Sequence, residues 1–335
     1  MTSPFDPIAF ARALINIDST TGQEAAAGRW LAAELRHLGY DVVEQPLARG
    51  CANLIATIDP PVVVFSTHYD CVPPFFASRV ENGRLYGRGA CDAKGILAAQ
   101  VAAAERVRAG GERRVGLLFV VGEERGSDGA ALANAAPIGS RYLINGEPTD
   151  SRVASATRGV LRVRLVAEGR AAHSAAPAHG VSAIDKLIDA LVRLRTLELP
   201  SDPDLGPTFY SVGLIDGGVA PNVISPHGAA EVLFRTIGDP DEILRILGDL
   251  RPLVSVQEVL RVPAVRLRTV AGMPSEVFPF TTDVPLLDRW GAPLLFGPGS
   301  FLVAHTSEEH VSIAELLSAV EAYERLASAC LAGRV

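Results

Sequence analysis

The sequence predicts an α/β fold, a mixed sheet with helices on both faces, into which a smaller ferredoxin-like α+β domain is inserted. Three observations predict this architecture. Residues 61–70 and 114–124 are near-continuous apolar runs separated by an alanine-rich helical segment, as in strands buried on both faces. From residue 157 apolar and polar residues alternate, which is typical of a strand with one solvated face. Near residue 270 the buried-strand pattern returns, so the alternating part is an insertion.

The elements of the first domain follow in order. Residues 5–17 and 22–38 have the periodicity of amphipathic helices, and Gly39 can end the second because glycine tolerates the left-handed conformation. "YDVVEQPL" and "NLIATI" are strand-like. Between the two buried runs, "AKGILAAQVAAAERVRAG" predicts a helix, and "RYLINGEP" predicts a third buried strand. This alternation of strands and helices predicts a sheet covered on both faces.

The inserted part has the order β-α-β-β-α-β, which is the ferredoxin-like arrangement. Its predicted elements are a strand "GVLRVRLVAEG", a helix over 180–199, strands "TFYSVGLI" and "AAEVLFRTI", a helix over 240–254 and a strand over 258–269. The chain then returns to a buried strand, "APLLFGPG", and a final helix, "SIAELLSAVEAYERLASACLAG". We expect a catalytic domain over 1–156 plus 270–335 and a lid or dimerisation domain over 157–269.

Composition narrows the classes of function. A length of 335 residues favours two domains, and the net charge of −7 without a basic tract argues against nucleic acid or an anionic membrane as partner. No stretch approaches the ~18–20 apolar residues of a membrane span, and the N-terminus lacks the pattern of a signal peptide. The cysteines lie far apart without a C-x-x-C pair, which suits reduced thiols in the cytoplasm. They are Cys51, Cys71, Cys91 and Cys330.

Histidines and acids cluster at the ends of the predicted buried strands. They are His68 and Asp70 after the first run, Asp92 at the start of the helix, Glu123 and Glu124 after the second run, Glu147 after the third, and His305 after the last. Because ligands of open α/β sheets gather outside the carboxyl ends of the strands, we expect these side chains to converge.

Each of these residues also has an ordinary explanation. A buried histidine is commonly a hydrogen-bonded core residue, Asp92 suits a helix N-cap, and a pair of glutamates commonly begins a solvated loop. Taken together, however, carboxylates that share a pocket need a cation to offset their repulsion. Imidazole and carboxylate ligands without thiolate suit zinc, and also cobalt or manganese.

The ligand count favours two divalent ions. Five candidate ligands (His68, Asp92, Glu124, Glu147 and His305) cannot complete two separate four-coordinate shells, so one carboxylate should bridge. Asp92 is the candidate, because its short side chain at a helix start is rigidly placed. Two ions roughly 3.5–4 Å apart hold a bridging hydroxide by lowering the pKa of the shared water toward ~7.

The paired glutamates suggest a division of labour. On a regular strand adjacent side chains point in opposite directions, so Glu124 is expected to bind metal while Glu123 faces the substrate as general base. Asp70 lies two positions from His68 on the same face, and we expect it to hold the second imidazole nitrogen.

Six motifs, in this order, carry a resemblance to a known family: "THYD", "GRLYGRGACDAKG", "GEERGSDG", "NGEPT", "GRAAHSAAP" and "AHTSEEHV". They resemble the co-catalytic, binuclear zinc metallopeptidases that include acetylornithine deacetylase, succinyl-diaminopimelate desuccinylase, aminoacylase and glutamate carboxypeptidase. The resemblance implies the same five ligands with Asp92 bridging, the same roles for Glu123 and Asp70, and a cis peptide after Asp92.

The resemblance also implies roles in the inserted domain. His173 matches a histidine that stabilises the oxyanion, in many members across a dimer interface, so a homodimer through this domain is expected. Asn222 and Arg235 match residues that bind the substrate; without the resemblance they would be a turn asparagine and a surface arginine of a strand.

The expected activity is hydrolysis of the N-acyl amide bond of a small N-acyl amino acid, as in acetylornithine deacetylase, with two Zn²⁺ ions as the leading cofactors. A dipeptidase or carboxypeptidase using the same centre is the alternative. A non-catalytic metal-binding homologue is a third reading, against which Glu123 argues, since a binding protein has no need of a general base.

Overall fold

The computed structural model describes residues 5–335, which form two compact units. Unit 1 contains the described residues up to Ser155 together with Leu267–Glu276 and Thr282–Val335. Unit 2 contains Ala156–Arg266 and Val277–Thr281. The second unit therefore begins one residue before the expected boundary at 157, ends three residues before 269, and receives a short additional segment.

The helices and strands alternate through unit 1 and follow the ferredoxin-like order in unit 2. The helices are α1 (Pro7–Ile15), α2 (Ala25–His37), α3 (Lys94–Ala109), α4 (Asp128–Ala135), α5 (Ala183–Leu194), α6 (Pro240–Leu247) and α7 (Ile313–Leu331). The strands are β1 (Asp41–Pro46), β2 (Ala52–Thr57), β3 (Val63–His68), β4 (Arg79–Glu81), β5 (Arg84–Tyr86), β6 (Val115–Val120), β7 (Tyr142–Asn145), β8 (Val153–Thr157), β9 (Gly159–Glu168), β10 (Ser201–Asp202), β11 (Gly206–Pro207), β12 (Phe209–Gly217), β13 (His227–Thr236), β14 (Ser255–Val262), β15 (Val265–Arg266), β16 (Ser275–Phe278), β17 (Ala292–Leu295) and β18 (His310–Ser312).

The main sheet of unit 1 is mixed, as predicted. Its strand order is β1-β2-β6-β3-β7-β17. Strands β1, β2 and β6 pair antiparallel, whereas β3 runs parallel to both β6 and β7, and β17 runs parallel to β7. The carboxyl ends of β3, β6 and β7 therefore lie at the same edge.

The continuous apolar runs are explained by packing on both faces of this sheet. Along β6, Leu117 and Phe119 pack in a large core with residues of α1, α2, α3 and α7, while Leu118 and Val120 pack in a smaller core with residues of α4 and with Trp290. Burial of a large apolar side chain contributes roughly 1.5–3 kcal/mol to the stability of the fold. In a strand that is covered on both faces, every apolar residue makes this contribution.

Unit 2 contains an antiparallel sheet of order β12-β13-β9-β14, which confirms the ferredoxin-like prediction. The alternation in β9 has its expected cause. Leu161, Val163 and Leu165 are buried in a core with α5 and α6, whereas Arg162 and Arg164 project from the other face and are partly exposed. The predicted strand over 258–269 is misplaced, because β14 begins at Ser255 and ends before Pro263, which has no N–H to donate.

Two further findings concern membrane-spanning helices and the state of the cysteines. Within residues 5–335 the structure has no helix that is both long and apolar enough to cross a membrane. The four cysteines are buried free thiols. The N-terminal segment is expected not to form a signal peptide. Its first residues, 1–4, lie outside the described residues.

Candidate metal centre

His68 lies at the carboxyl end of β3 with its side chain buried, and each ring nitrogen has an acidic residue as partner. Nδ1 lies 3.0 Å from the backbone oxygen of Asp70 and 3.5 Å from the Oδ1 atom of the same residue. Nε2 lies 3.0 Å from Oδ1 of Asp92 and 4.0 Å from Oε2 of Glu147. The ring orientation is therefore fixed from the Asp70 side, with Nε2 directed at two carboxylates.

Asp92 lies between the two candidate imidazoles. Its Oδ1 atom is 3.0 Å from Nε2 of His68, and its Oδ2 atom is 3.3 Å from Nε2 of His305. The peptide bond to Ala93 is cis. Asp92 is not the N-cap of α3, since Ala93 occupies that position and no side chain caps the helix. The helix-capping explanation is therefore wrong, and both carboxylate oxygens face the histidines.

Glu124 and Glu147 complete the cluster on either side. Both carboxylate oxygens of Glu124 lie 3.0 Å from Nε2 of His305. His305 belongs to a loop after β17, has a positive φ of 63°, and leaves 52% of its side chain exposed. Glu147 follows β7, and its Oε1 atom is buried with no hydrogen-bond partner among the described residues. A buried carboxylate oxygen without a donor is costly, and a cation would satisfy it.

The two adjacent glutamates do not extend the strand. Strand β6 ends at Val120, Gly122 has a φ of 79°, and Glu123–Arg125 form one turn of 3₁₀ helix. The prediction that strand geometry separates the glutamates is therefore wrong. A 3₁₀ turn has three residues per turn, so neighbouring side chains diverge by roughly 120° around its axis. Among residues 5–335, no protein group donates a hydrogen bond to the Glu123 carboxylate.

Asp70 contacts this turn as well as His68. Its Oδ1 atom accepts from the backbone N–H of Glu123 (3.1 Å), and its Oδ2 atom accepts from the N–H of Glu124 (3.2 Å) and from the hydroxyl of Thr21 (3.0 Å). One buried carboxylate therefore sets both glutamate backbones relative to the histidine ring. The sequence indicated only the contact with His68.

The carboxylates raise the basicity of both imidazoles. Hydrogen bonds with Asp92 and Glu124 raise the pKa of His305 to about 10. Burial acts to lower the pKa of His68, but its hydrogen bonds with Asp70 and Asp92 raise it well above its usual value. Both rings therefore hold protons tightly when no cation is bound.

The carboxyl groups respond to the same crowding. Burial, together with neighbouring carboxylates, raises the pKa of Glu123 and of Glu147 well above the usual range. Burial also acts to raise the pKa of Asp92, but hydrogen bonds with His305 and His68 hold it well below its usual value. The centre thus has more negative charge than its imidazoles offset, which favours a bound cation.

The three candidates of the insertion all belong to unit 2. His173 Nδ1 accepts from the N–H of Ala175 (3.1 Å), and a bridge pairs His173 with Val223, next to Asn222. Arg235 lies on β13, partly buried, and burial lowers its pKa. The structure thus places His173 beside the Asn222 segment and Arg235 on the sheet.

Sequence reasoning missed two buried acids of unit 1 that act on residues of the centre. Glu309 binds the backbone of the loop that carries Asp92. Asp283 is buried with its Oδ1 atom lacking a hydrogen-bond partner among the described residues, and burial raises its pKa to about 6. The only available signal for Glu309 was its place in "AHTSEEHV", and nothing in "TTDVPLL" distinguished Asp283.

The comparisons with known proteins agree with the geometry. Residues 64–329 match the sequence profile of peptidase family M20/M25/M40. The chain belongs to this family. The resemblance drawn from the six motifs is therefore confirmed, and the protein is a metal-dependent hydrolase of peptide or amide bonds.

Curated relatives of this M20 member cover most of its length. A probable carboxypeptidase of Aspergillus terreus is 36% identical over 98% of this chain and 87% of its own. A peptidase M20 domain-containing protein of Schizosaccharomyces pombe is 33% identical over 95% of this chain and 83% of its own.

Solved structures share the fold at lower identity. A tripeptidase of Staphylococcus aureus superposes with a TM-score of 0.83 at 21% identity, covering 98% of this chain and 100% of its own. A dinuclear metal-binding M20 peptidase of Bacillus subtilis gives a TM-score of 0.73 at 16% identity, with 98% of each chain covered. These likenesses confirm the α/β fold.

Proposed function

We propose that the M20 member described here holds two divalent ions, most readily Zn²⁺, at the cluster in unit 1. His68, Glu147 and Asp92 would hold one ion, and Asp92, Glu124 and His305 the other. The observation that carries this assignment is the position of Asp92, whose two oxygens each face a different imidazole. The orphaned Oε1 atom of Glu147 supports it, because that buried acceptor lacks a protein donor.

Two ions held at such a centre would supply polarisation of the scissile carbonyl and a lowered pKa of a bound water molecule. The chain supplies the proton transfer. Glu123 is one residue from the proposed ligand Glu124, and its carboxylate accepts no hydrogen bond from the described protein. We propose that it accepts the proton of the attacking water and delivers it to the departing nitrogen, while Asp70 holds the Glu123 backbone.

We also propose substrate roles for three residues of unit 2, on the strength of the family resemblance. His173 would donate to the developing oxyanion, and Asn222 and Arg235 would bind polar groups of the substrate. The unengaged guanidinium of Arg235 supports a role toward a carboxylate, because no hydrogen bond or ion pair occupies it among the described residues.

We propose a homodimer formed through unit 2. Strand β12 is an edge strand of its sheet, and it exposes apolar side chains, Leu214 at 64% and Ile215 at 65%. An exposed, apolar edge strand readily pairs with another chain. Ile188 and Val192 of α5, in the same unit, are also exposed.

We propose that the substrate is an amide formed on the amino group of a residue with a free carboxylate. An N-acyl amino acid and the C-terminal residue of a short peptide share this chemistry and differ only in the acyl part. The carboxypeptidase named among the curated relatives favours a peptidyl acyl group. The stretch that ends in the last motif, residues 278–310, resembles acetylornithine-deacetylase-like members more than the diaminopimelate branch, which favours a small acyl group.

A single substrate panel tests the proposal and separates the two candidates. The enzyme is reconstituted with Zn²⁺, Co²⁺ or Mn²⁺ and assayed against N-acetyl and N-succinyl amino acids, dipeptides and tripeptides. Turnover restricted to peptides would identify a peptidase, and turnover restricted to the acyl amino acids a deacylase. Tight binding of two ions with no hydrolysis of any amide would favour the non-catalytic alternative.

A further inference from the structure

Glu309 is a fully enclosed acid next to the loop that carries Asp92. Its side chain is fully buried, and its Oε1 atom accepts hydrogen bonds from three backbone N–H groups of one loop. The donors are Gly89 at 2.9 Å, Cys91 at 3.1 Å and Asp92 at 3.0 Å. Backbone N–H groups of one loop that converge in this way form an anion-binding concavity, here filled by a side chain of the same molecule.

The second carboxylate oxygen is paired with a buried arginine. Nη1 of Arg88 lies 2.6 Å from Oε2 of Glu309, and the Arg88 side chain is itself buried. Nε of Arg88 donates to the backbone oxygen of Pro74 at 3.2 Å. Since a buried ion pair is often no more stabilising than well-packed apolar residues, stability alone is a weak explanation for this arrangement. The directed hydrogen bonds of Arg88 and Glu309 instead fix the geometry of the loop that they contact.

The loop that Glu309 holds is the loop that carries Asp92, and Glu309 lies four residues after His305. The carboxylate of Asp92 contacts His68 through one oxygen and His305 through the other. The backbone is tied in the same place, because the N–H of Gly87 donates to the carbonyl of Glu309 at 3.2 Å. Glu309 therefore joins the segment that carries Asp92 to the segment that carries His305.

We propose that Glu309 is a positioning residue that holds Asp92 in its bridging position and thereby sets the spacing of the two metal ions. This inference rests on the proposed two-metal function. If Asp92 were displaced, each ion would still keep some of its own ligands. The main effect would therefore be on the binding of the two ions as a pair. Partners that orient metal ligands typically contribute about 10–100-fold in metal affinity.

The test compares Glu309→Gln with Glu308→Gln. The two variants make the same chemical change at adjacent positions, but Glu308 is an exposed acid whose pairing with Arg79 lies on the surface. Metal-free full-length protein is titrated with Mn²⁺, and the affinity of each ion is measured by calorimetry. The magnetic coupling between the two ions is measured by electron paramagnetic resonance, and circular dichroism reports the fold.

We expect Glu309→Gln to bind the second ion about 10–100-fold more weakly and to lose the coupling between ions, with the fold retained. Glu308→Gln should match the wild type. Equal second-ion affinity and coupling in wild type and Glu309→Gln would overturn the inference while leaving the two-metal function intact. A wild type that binds no coupled pair would instead overturn the proposed function.

If Glu309→Gln does not fold, Glu309→Asp replaces it in the same titration. This variant keeps the negative charge beside Arg88 but is one methylene too short to reach the three N–H groups and the guanidinium together. Loss of coupling in the folded Asp variant supports positioning, and full coupling rejects it.

Discussion

Single residues of the centre act largely through the backbone. Among the side chains of the proposed catalytic machinery, Asp70 contacts only that of His68, and Glu309 contacts none. Together, however, the two carboxylates accept hydrogen bonds from five backbone N–H groups, in the two loops that carry Glu123, Glu124 and Asp92. Hydrogen bonds to charged groups contribute about 1.5–3 kcal/mol, so these carboxylates are well suited to hold loops that regular secondary structure leaves free.

Substitutions can distinguish the proposed general base from the proposed metal ligands. Glu123→Gln is expected to retain both ions and to lower kcat about 10²–10⁴-fold, because the amide cannot accept the proton of the attacking water. Glu124→Ala should instead lose metal, since it removes the carboxylate beside His305. Atomic absorption and steady-state kinetics measure the two effects. Unchanged turnover in Glu123→Gln would end the assignment of the base.

The raised imidazole pKa values predict proton release on metal binding. In the metal-free protein at pH 7, His305, with a pKa of about 10, is protonated, and the raised pKa of His68 favours its protonated form as well. Because metal binds only the neutral ring, saturation should release about two protons or more per chain, and affinity should rise with pH. Calorimetry in buffers of different ionisation enthalpy measures this. Binding heats that do not depend on the buffer would contradict it.

At the scale of elements, the centre is built where regular structure ends. Strands β3, β6 and β7 end in parallel at the same edge of the sheet, and each is followed within three residues by a candidate acid. The turn Glu123–Arg125 begins after Gly122, whose positive φ is a conformation that glycine adopts without steric cost. That turn, and not strand geometry, makes the two glutamates diverge.

The start of α3 is a tightly packed contact on which Asp92 depends. A Cβ atom on Gly95 would lie 2.2 Å from the backbone oxygen of Ala90, so Gly95→Ala must displace the loop that carries Asp92. We expect a loss of about 1–3 kcal/mol in the free energy of unfolding, together with weaker metal binding.

Urea unfolding and metal titration check this prediction. Gly248→Ala is the matched control, since a Cβ there has no atom within 4 Å and its φ of −53° is helical. A Gly95→Ala variant as stable as the wild type and equally tight in metal binding would show that the loop tolerates the displacement.

At the scale of the whole molecule, each of the two units contains some of the proposed site residues. The seven residues that the sequence predicted for the centre come from unit 1, as does Glu309, and His173, Asn222 and Arg235 come from unit 2. Unit 1 buries its sheet under helices on both faces, whereas the sheet of unit 2 has α5 and α6 in its core and ends in the edge strand β12.

The exposed edge strand β12 predicts that two copies of the protein form a dimer. Ile215→Lys should convert the proposed dimer to a monomer, because burying an unpaired ammonium at an interface is unfavourable. Size-exclusion chromatography with light scattering measures the mass. Leu317→Lys is the control, since Leu317 is an exposed leucine on α7 of unit 1. A dimer that persists in Ile215→Lys, or a monomeric wild type, would remove unit 2 as the interface.

Much of the fold and the composition of the centre could be predicted from the sequence. Residues such as Leu117 and Leu118 pack on opposite faces of β6, so burial on both faces leaves a continuous apolar run that is visible without coordinates. The alternation around Leu161 and Arg162 revealed a half-exposed sheet in the same way. These signals are local, because each strand or helix buries its own residues with a fixed period.

The tertiary structure alone decided how the acids are used. Glu309 and the Asp92 backbone lie 217 residues apart, and no pattern along the chain links them. The divergence of Glu123 and Glu124 depends on a turn held by Asp70, 53 and 54 residues earlier. The sequence by itself thus determined which candidate ligands are present. Their geometry depends on hydrogen bonds between distant loops, which exist only once the chain has folded.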